Sequence, residues 1–489
     1  MNYKAVIKNI GYVLMIEGVL MLLPSAVSLI YREKSGIWIF GVAVCALLAG
    51  WLLKFAGRNA ARSYAKEGFV VAGLAWVVMS LVGALPFTLS GQIPSYVDAV
   101  FETISGFTTT GSSILTDVEA LDHGMLFWRS FTHWVGGMGI LVFMLAVRPA
   151  GSTRADDMYL MKAESPGPQV EKMVPRLRTT AGILYKIYFV MTIAEIALLL
   201  ITGMHAFDAF CISFGTAGTG GFGVLNSSIG SYTSVQQIII GIFMVLFGVN
   251  FNIYYLVMIH KLTGVWKSEE LRAYLAIITG AVVLIMINIY QYAATLYSSF
   301  GECLKIVFVQ VASIITTTGF GITDFEVWPE ASRTILVLLM FCGACAGSTG
   351  GGLKVSRILI GVKVVKNELK KVLHPRSVKS VRMDGKEIKA EIANRTAAYF
   401  IVYTLIFVVS LLVVSFDNYD QITNFTAIAA TINNIGPGLG VVGATGNYAG
   451  FSVLSKIVMM FDMLVGRLEI FPMLFLFSPA VLKRNRRKV

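Results

Sequence analysis

Thr316-Thr317-Thr318-Gly319-Phe320-Gly321 is the stretch on which the reading of this chain turns. Glycine adopts φ/ψ values that other residues avoid, so it can turn neighbouring carbonyls toward a common axis. Threonine adds a hydroxyl able to cap or coordinate. Alone, the stretch reads as a surface turn, because Gly/Thr loops are common. Two observations argue otherwise: it lies in a membrane chain, and it has three counterparts.

The 489 residues are 56% hydrophobic and 14% charged, with a mean hydropathy of +0.72. Soluble domains average about 25% charged residues, so this is an integral membrane protein. The net charge of +12 would suggest nucleic acid in a soluble protein. Here cytoplasmic loop bias and anionic lipid account for it, and no nucleic-acid partner is expected. Cys45, Cys211, Cys303, Cys342 and Cys345 show neither a disulfide framework nor zinc spacing. Cys342 and Cys345 look like a redox pair but lie in a Gly/Ala run that favours packing. Lys4 and Lys8 precede an apolar run with no small-residue cleavage site, so the first helix reads as retained.

Apolar runs near 10–30, 37–57, 69–90, 126–147, 181–203, 234–260, 272–296, 333–362, 396–416 and 455–478 give ten candidate spans. Segment 148–180 carries Arg148, Arg154, Lys162, Lys172, Arg176 and Arg178, and segment 363–395 is denser still in Lys and Arg. The tail holds Lys483, Arg484, Arg486, Arg487 and Lys488, whereas 91–125, 204–233 and 417–454 hold no Lys or Arg. Basic segments stay in the cytoplasm, so both termini are expected there.

Short helix-like runs at 97–107, 206–215, 302–314 and 421–432 each precede a glycine cluster. A short run can enter the membrane and return if its irregular backbone is buried in protein or lines a watery cavity. The clusters Thr110-Gly111-Ser112, Thr219-Gly220-Gly221, Thr318-Gly319-Phe320 and Ile435-Gly436-Pro437 recur at intervals of roughly one hundred residues. Thr317 to Gly321 also approach T-V-G-Y-G, the loop whose carbonyls replace the hydration shell of K⁺ in potassium channels.

The expected fold is an all-α polytopic membrane protein. It has four pseudo-repeats of helix, pore helix, filter loop and helix around one central pore, plus an N-terminal two-helix hairpin. The expected bounds are 1–62 for the hairpin, 63–150, 175–265, 268–365 and 395–482 for the repeats, 366–394 for a cytoplasmic basic segment and 483–489 for a basic tail. Gly218 to Gly223 satisfy G-x-G-x-x-G, and Gly347 to Lys354 approach a phosphate loop. Neither has the strand and helix context that nucleotide binding needs. No nucleophile–base or metal cluster with usable spacing suggests an enzyme.

Several motifs resemble the TrkH/TrkG membrane subunits of bacterial Trk potassium-uptake systems, in the Trk/Ktr/HKT superfamily. They are Ser105 to Gly111, Arg129-Ser130-Phe131 with Trp134 to Ile140, Gly248 to Asn252, Ala346 to Lys354 and Gly466 to Glu469. The resemblance covers essentially the whole chain. It implies one filter glycine per repeat, here Gly111, Gly220, Gly319 and Gly436, flanked by Thr109, Thr110, Thr219, Thr317, Thr318, Asn434 and Ile435 as K⁺-coordinating positions. Relatives with serine at the first position tend to conduct Na⁺, so Gly111 implies K⁺. The fourth loop, Asn433-Asn434-Ile435-Gly436-Pro437, lacks the threonine, which implies modest K⁺/Na⁺ selectivity. The resemblance also implies a cytosolic TrkA-like ring that binds NAD and ATP, a homodimer and the bacterial inner membrane. The ion is K⁺, with no organic cofactor on this chain. The basic segment 363–395 suits a docking surface for such a ring or for lipid head groups.

Span 333–362 is broken by Gly343, Ala346, Gly347, Ser348, Thr349, Gly350, Gly351 and Gly352. Each glycine costs about 1 kcal/mol against alanine in a helix interior, so the middle of the span should unwind to line a cavity. In the family this is an intramembrane loop that blocks the pore below the filter, with Lys354 expected at the cytoplasmic mouth. Arg467 lies inside the last span, where a charge costs at least about 2.5–3.5 kcal/mol. It reads as a pore-facing cation that holds the closed state, or as one half of an ion pair. Glu469 lies about 200° around a helix from it. Glu195 reads as a relay, which would suit a K⁺ symporter coupled to H⁺ or Na⁺, or as packing. Asn250 and Asn252 read as interhelical glue, His123, His133 and His260 as interfacial or packing residues, and Asp98, Glu102, Asp117, Glu119 and Asp122 as acids at the outer mouth. Replacing Gly319 by serine is expected to shift preference toward Na⁺; relative permeability measures this, and an unmoved ratio removes Gly319 from the filter.

Overall fold

The computed structural model describes residues 1–58, 65–139, 177–290, 297, 299–374 and 380–477. Ile140, the basic residues Arg148 to Arg176, Arg376, Lys379 and the tail from Lys483 fall outside these residues.

Helices α1 (Tyr3–Leu20), α2 (Leu22–Ile30) and α3 (Ser35–Ala56) form the N-terminal hairpin. Small residues let α1 and α3 touch backbone to backbone: a methyl on Gly11 would lie 2.7 Å from the Gly50 carbonyl oxygen. Repeat 1 is α4 (Ala65–Leu89), α5 (Tyr96–Phe107) and α6 (His123–Met138). Repeat 2 is α7 (Leu177–Ile201), α8 (Ala206–Gly218), α9 (Ser234–Phe247) and α10 (Phe251–Met258). A short α11 (Leu262–Lys267) leads to repeat 3, which is α12 (Glu269–Tyr290), α13 (Phe300–Ile315) and α14 (Glu330–Cys342). Then come α15 (Val355–Leu373) and a two-stranded antiparallel hairpin, β1 (Arg382–Met383) and β2 (Lys386–Glu387), with Met383 opposite Lys386. Repeat 4 is α16 (Ala390–Val414), α17 (Gln421–Ile432) and α18 (Val453–Arg467), followed by α19 (Phe471–Leu476).

The first helix of each repeat is long and apolar enough to cross a membrane. The pore helices α5, α8, α13 and α17 are short: each ends at its glycine cluster, and all but α8 start at a side-chain cap. Ser95, Ser299 and Asp420 accept hydrogen bonds from the first-turn amides of α5, α13 and α17. Hydrogen bonds from the Thr423 hydroxyl and amide hold the exposed Asp420 carboxyl below the ordinary carboxylate range.

In repeats 2 and 4 the third helix differs from the sequence expectation, whereas the break in repeat 3 falls where it was expected. Spans 234–260 and 455–478 read as continuous, yet both break. Helix α9 stops at Gly248 and α10 leaves at 90°. Asn250 caps α10 by accepting from the Asn252 amide at 2.9 Å, and its side chain also bonds Glu270 on α12, the interhelical role expected of it. Helix α18 stops at Leu468, and a γ-turn centred on Ile470 (φ 54, ψ −62) closes through Phe471 N–H to the Glu469 carbonyl at 2.5 Å. This turn is rare and strained, the more so on a β-branched residue. Hydrophobicity does not register such breaks because flanking residues on both sides are apolar.

Outside the pore helices the connections tie each repeat to the next. Val118 N–H donates to Asn226 Oδ1 at 2.8 Å, Ile229 N–H to the Gly321 carbonyl at 3.1 Å, Gly440 N–H to Glu326 Oε1 at 2.5 Å and Tyr448 N–H to the Ser113 carbonyl at 2.8 Å. Four seams close a ring.

Candidate ion pore

The ring narrows to four loops of one backbone shape. Thr109, Thr219, Thr317 and Asn434 are left-handed, with φ of 55, 56, 58 and 54. Two residues later Gly111, Gly221, Gly319 and Gly436 have φ of 80, 76, 86 and 100. Between them the amides of Thr110, Gly220, Thr318 and Ile435 donate to the carbonyls of Ser105, Gly215, Ser313 and Ala430 at 2.8, 2.8, 2.9 and 2.9 Å. This corrects the sequence alignment of the second loop by one residue. Gly220 stands with Thr110, Thr318 and Ile435, and Gly221 is the partner of Gly111, Gly319 and Gly436. Glycines at 218, 220 and 221 left the register undetermined from sequence.

Backbones meet backbones here, which excludes side chains. A methyl on Gly111 would lie 2.1 Å from the Gly220 oxygen, and one on Gly221 2.0 Å from the Thr318 oxygen. One on Gly319 would lie 1.8 Å from the Ile435 oxygen, and one on Gly436 2.8 Å from the Thr110 oxygen. The contacts run around all four loops and return to the first.

The donors present are hard oxygens, suited to an alkali cation stripped of water. Thr109 Oγ1 and Asn434 Oδ1 are buried with no hydrogen-bond partner among the described residues. At the same level the Thr219 hydroxyl donates to the Gly218 carbonyl at 2.5 Å, and the Thr317 hydroxyl accepts from Gly351 N–H at 2.6 Å. The four pore helices end beside the loops, so their C-terminal dipoles favour positive charge there. Loop 4 departs from the others: the Gly436 carbonyl accepts from Tyr448 Oη at 2.8 Å and Ser112 Oγ at 3.2 Å.

Directly beneath lies the non-helical segment from Gly343 to Lys354, where Gly343, Gly347, Gly352 and Lys354 have φ of 69, 72, 73 and 72. Gly347, Ala346 and their neighbours join the break in α9: Phe251 N–H donates to the Gly347 carbonyl at 3.1 Å and Cys345 N–H to the Gly248 carbonyl at 3.0 Å. The Thr349 hydroxyl donates to the Phe247 carbonyl at 3.3 Å, and the Ser348 hydroxyl to the Cys345 carbonyl at 2.6 Å. A methyl on Gly351 would lie 2.4 Å from the Asn433 oxygen, and one on Gly350 2.9 Å from the Thr316 oxygen.

Arg467 donates to the carbonyls of Thr349, Gly136 and Gly137 at 2.5, 2.6 and 2.6 Å, joining α18 to the segment and to repeat 1. Glu469 pairs with Arg357 instead. Lys354 was expected at the cytoplasmic mouth; it is buried, with its ammonium on the Gly350 carbonyl of the same segment. Glu270, on the first turn of α12, holds both ends of the segment by accepting from Ala346 N–H at 2.7 Å and Ser356 N–H at 3.2 Å. Sequence reasoning passed over it, because an acid at a helix start looks ordinary.

Two acids expected at the mouth are elsewhere engaged. Glu102 is buried and accepts from Arg129 Nε at 2.6 Å, and Asp98 pairs with Lys456 at 2.6 Å. Asp117 and Glu119 bind Asn226 in the outer loops. His123 pairs with Glu33 at 2.8 Å, while His133, read as packing, bridges two repeats. Glu195 is fully buried beside Thr216, and its oxygens bond neither the filter loops nor segment 343–354 among the described residues. All five cysteines are free.

Membrane-crossing helices around a ring of oxygen-lined loops define a polytopic membrane transport protein. The sequence profile of TrkH, described as a cation transport protein, matches residues 35–483, and the chain belongs to this family. It is 36% identical over 485 residues to the Trk system potassium uptake protein TrkH of Salmonella typhimurium, covering 98% of this chain and 99% of that one. The Escherichia coli K12 potassium uptake protein TrkG is 31% identical over 483 residues, covering 98% of each chain. The crystal structure of the potassium transporter TrkH from Vibrio parahaemolyticus superposes with a TM-score of 0.86 at 31% identity, over 99% of this chain and 100% of that one. These relatives are transporters, not enzymes.

Thr317→Val leaves the buried Gly351 N–H without an acceptor, at a cost of about 1–3 kcal/mol. Amide exchange across 343–354 is expected to quicken roughly tenfold or more, read by hydrogen–deuterium exchange. Unchanged exchange would show that loop 3 does not hold the segment.

Proposed function

We propose that this chain takes up K⁺ through a gated, channel-like pore in the bacterial inner membrane, with both termini cytoplasmic. The carrying observation is the closed contact of Gly111, Gly221, Gly319 and Gly436 with the neighbouring loops' carbonyls. Thr109, Thr110, Gly111, Thr219, Gly220, Gly221, Thr317, Thr318, Gly319, Asn434 and Ile435 supply the coordinating oxygens. Gly436 contributes less, because Tyr448 and Ser112 occupy its carbonyl. That supports modest K⁺/Na⁺ discrimination. The membrane potential drives entry, worth about 2.3 kcal/mol per charge per 100 mV.

Segment 343–354 with Arg467 is the gate in this reading. The segment lies against loops 3 and 4, and the Arg467 guanidinium stands beneath the filter where it repels cations. Names of the relatives refer to a Trk system, which supports a cytosolic partner. A TrkA-like nucleotide-binding ring would dock on the basic segment 363–395, part of a homodimeric complex. Lys363 there binds Glu269 and, at 2.7 Å, the Arg382 carbonyl. Glu269 N–H donates to Asp384 Oδ1 at 2.7 Å. Adjacent Glu269 and Glu270 thus join the β-hairpin to the gate segment.

Flux in sealed vesicles, with K⁺, Na⁺ and pH gradients varied separately, tests the reading. Passive K⁺ flux independent of pH is expected. Flux driven by a pH gradient alone would favour a coupled symporter, the reading to which buried Glu195 lends weight. Arg467→Ala frees three carbonyls and removes the cation. It is expected to raise K⁺ flux severalfold, and unchanged or lower flux in assembled protein would remove Arg467 from the gate.

A further inference from the structure

The four loops share a shape but not the means of holding it. In loops 1 and 3 threonine hydroxyls stiffen the chain from within: Thr108 pairs with Thr110 at 2.8 Å and Thr316 with Thr318 at 2.7 Å. Loop 2 has Gly218 and Gly220 at the matching places. Two glycines specify no conformation of their own, so loop 2 must be shaped from outside.

The space left by the missing side chains is filled from repeat 1. A methyl on Gly220 would lie 2.3 Å from the His133 ring, and one on Gly218 2.3 Å from the His133 carbonyl oxygen. His133, on α6, is fully buried. Its Nδ1 lies 2.7 Å from the Gly106 carbonyl, and its Nε2 lies 3.3 Å from Phe222 N. A carbonyl only accepts and an amide N–H only donates, so Nδ1 carries the proton and Nε2 accepts.

One turn earlier on α6, Arg129 completes the grip. It donates through Nη1 to the Gly223 carbonyl at 3.0 Å, and its guanidinium lies 3.5 Å from the centre of the Phe222 ring. Glu102 fixes the arginine while accepting from Ile114 N–H at 2.9 Å, beyond filter loop 1. Phe222 directly follows Gly221. Its ring and N–H, and the next carbonyl, are therefore all held by one helix of the neighbouring repeat.

We propose that His133 and Arg129 are specificity-determining positioning residues, which set the height and orientation of filter loop 2 and thereby the K⁺/Na⁺ preference. Neither touches the ion; they act through Phe222 and Gly223. The inference rests on the cation-pore reading.

The test uses the full chain in sealed vesicles and reads the K⁺ over Na⁺ permeability ratio, not flux alone. His133→Asn keeps a donor for Gly106 and loses the acceptor for Phe222. Its ratio is expected to fall roughly two- to tenfold, the worth of one hydrogen bond. His133→Gln offers an amide oxygen near the former Nε2 and should retain more of the ratio. Arg129→Lys keeps the charge beside Glu102 but loses the reach to Gly223, and should also lower it. For a variant that assembles without conducting, the rise in its thermal midpoint with K⁺ against Na⁺ reads the same preference. An unchanged preference in both His133→Asn and Arg129→Lys would overturn the inference. A wild-type chain that passes no K⁺ would instead overturn the pore reading beneath it.

Discussion

Hydrocarbon offers no water to a bare amide or carbonyl, so backbone that leaves the helix inside a membrane must find its partners in the protein. That constraint organises this molecule. The four glycine loops bond back to the short helices that precede them. The break in α9 and the segment beneath the filter meet each other's needs through Phe251, Gly347, Cys345 and Gly248. Arg467 takes three further carbonyls from two different repeats. Much of the irregular backbone among the described residues is thus gathered in the four loops and the segment packed against them.

A consequence is that the filter and the segment below it are not independent parts. The Thr317 hydroxyl belongs to loop 3 and is also the acceptor for Gly351. Any displacement of the segment changes the oxygens that loop 3 presents, so the segment and the loop are physically linked. Both ends of the segment are held by Glu270, whose neighbour Glu269 binds the β-hairpin through Asp384. Polar contacts joined by short stretches of backbone therefore run from the β-hairpin to loop 3.

Much of this was legible in the residues. The pore helices fall within a few residues of the expected runs, because their caps and glycine clusters are local signals. The dense glycine run at 343–352 announced a break for the same reason. The breaks at Gly248 and Leu468 did not: the Gly248 carbonyl is met by Cys345, remote in sequence, and Glu469 beside the second break is held by Arg357. Glu102 read as a mouth acid because its partner Arg129 lies across the filter loop. His133 read as packing because nothing local shows that loop 2, with glycine at 218 and 220, needs a brace.

The sequence by itself determined the membrane class, the four pseudo-repeats, the extra hairpin and the glycine-centred loops. Hydrophobicity, charge bias and backbone freedom are properties of single residues and survive in a linear reading. The tertiary structure alone decided that Gly221 rather than Gly220 joins the ring of left-handed glycines. It also decided that Tyr448 and Ser112 occupy the Gly436 carbonyl, and that Lys354 is buried. Those outcomes depend on which backbone lies within hydrogen-bond reach once four repeats close on one another. That distance is set by the ring as a whole, and no stretch of the chain carries it alone.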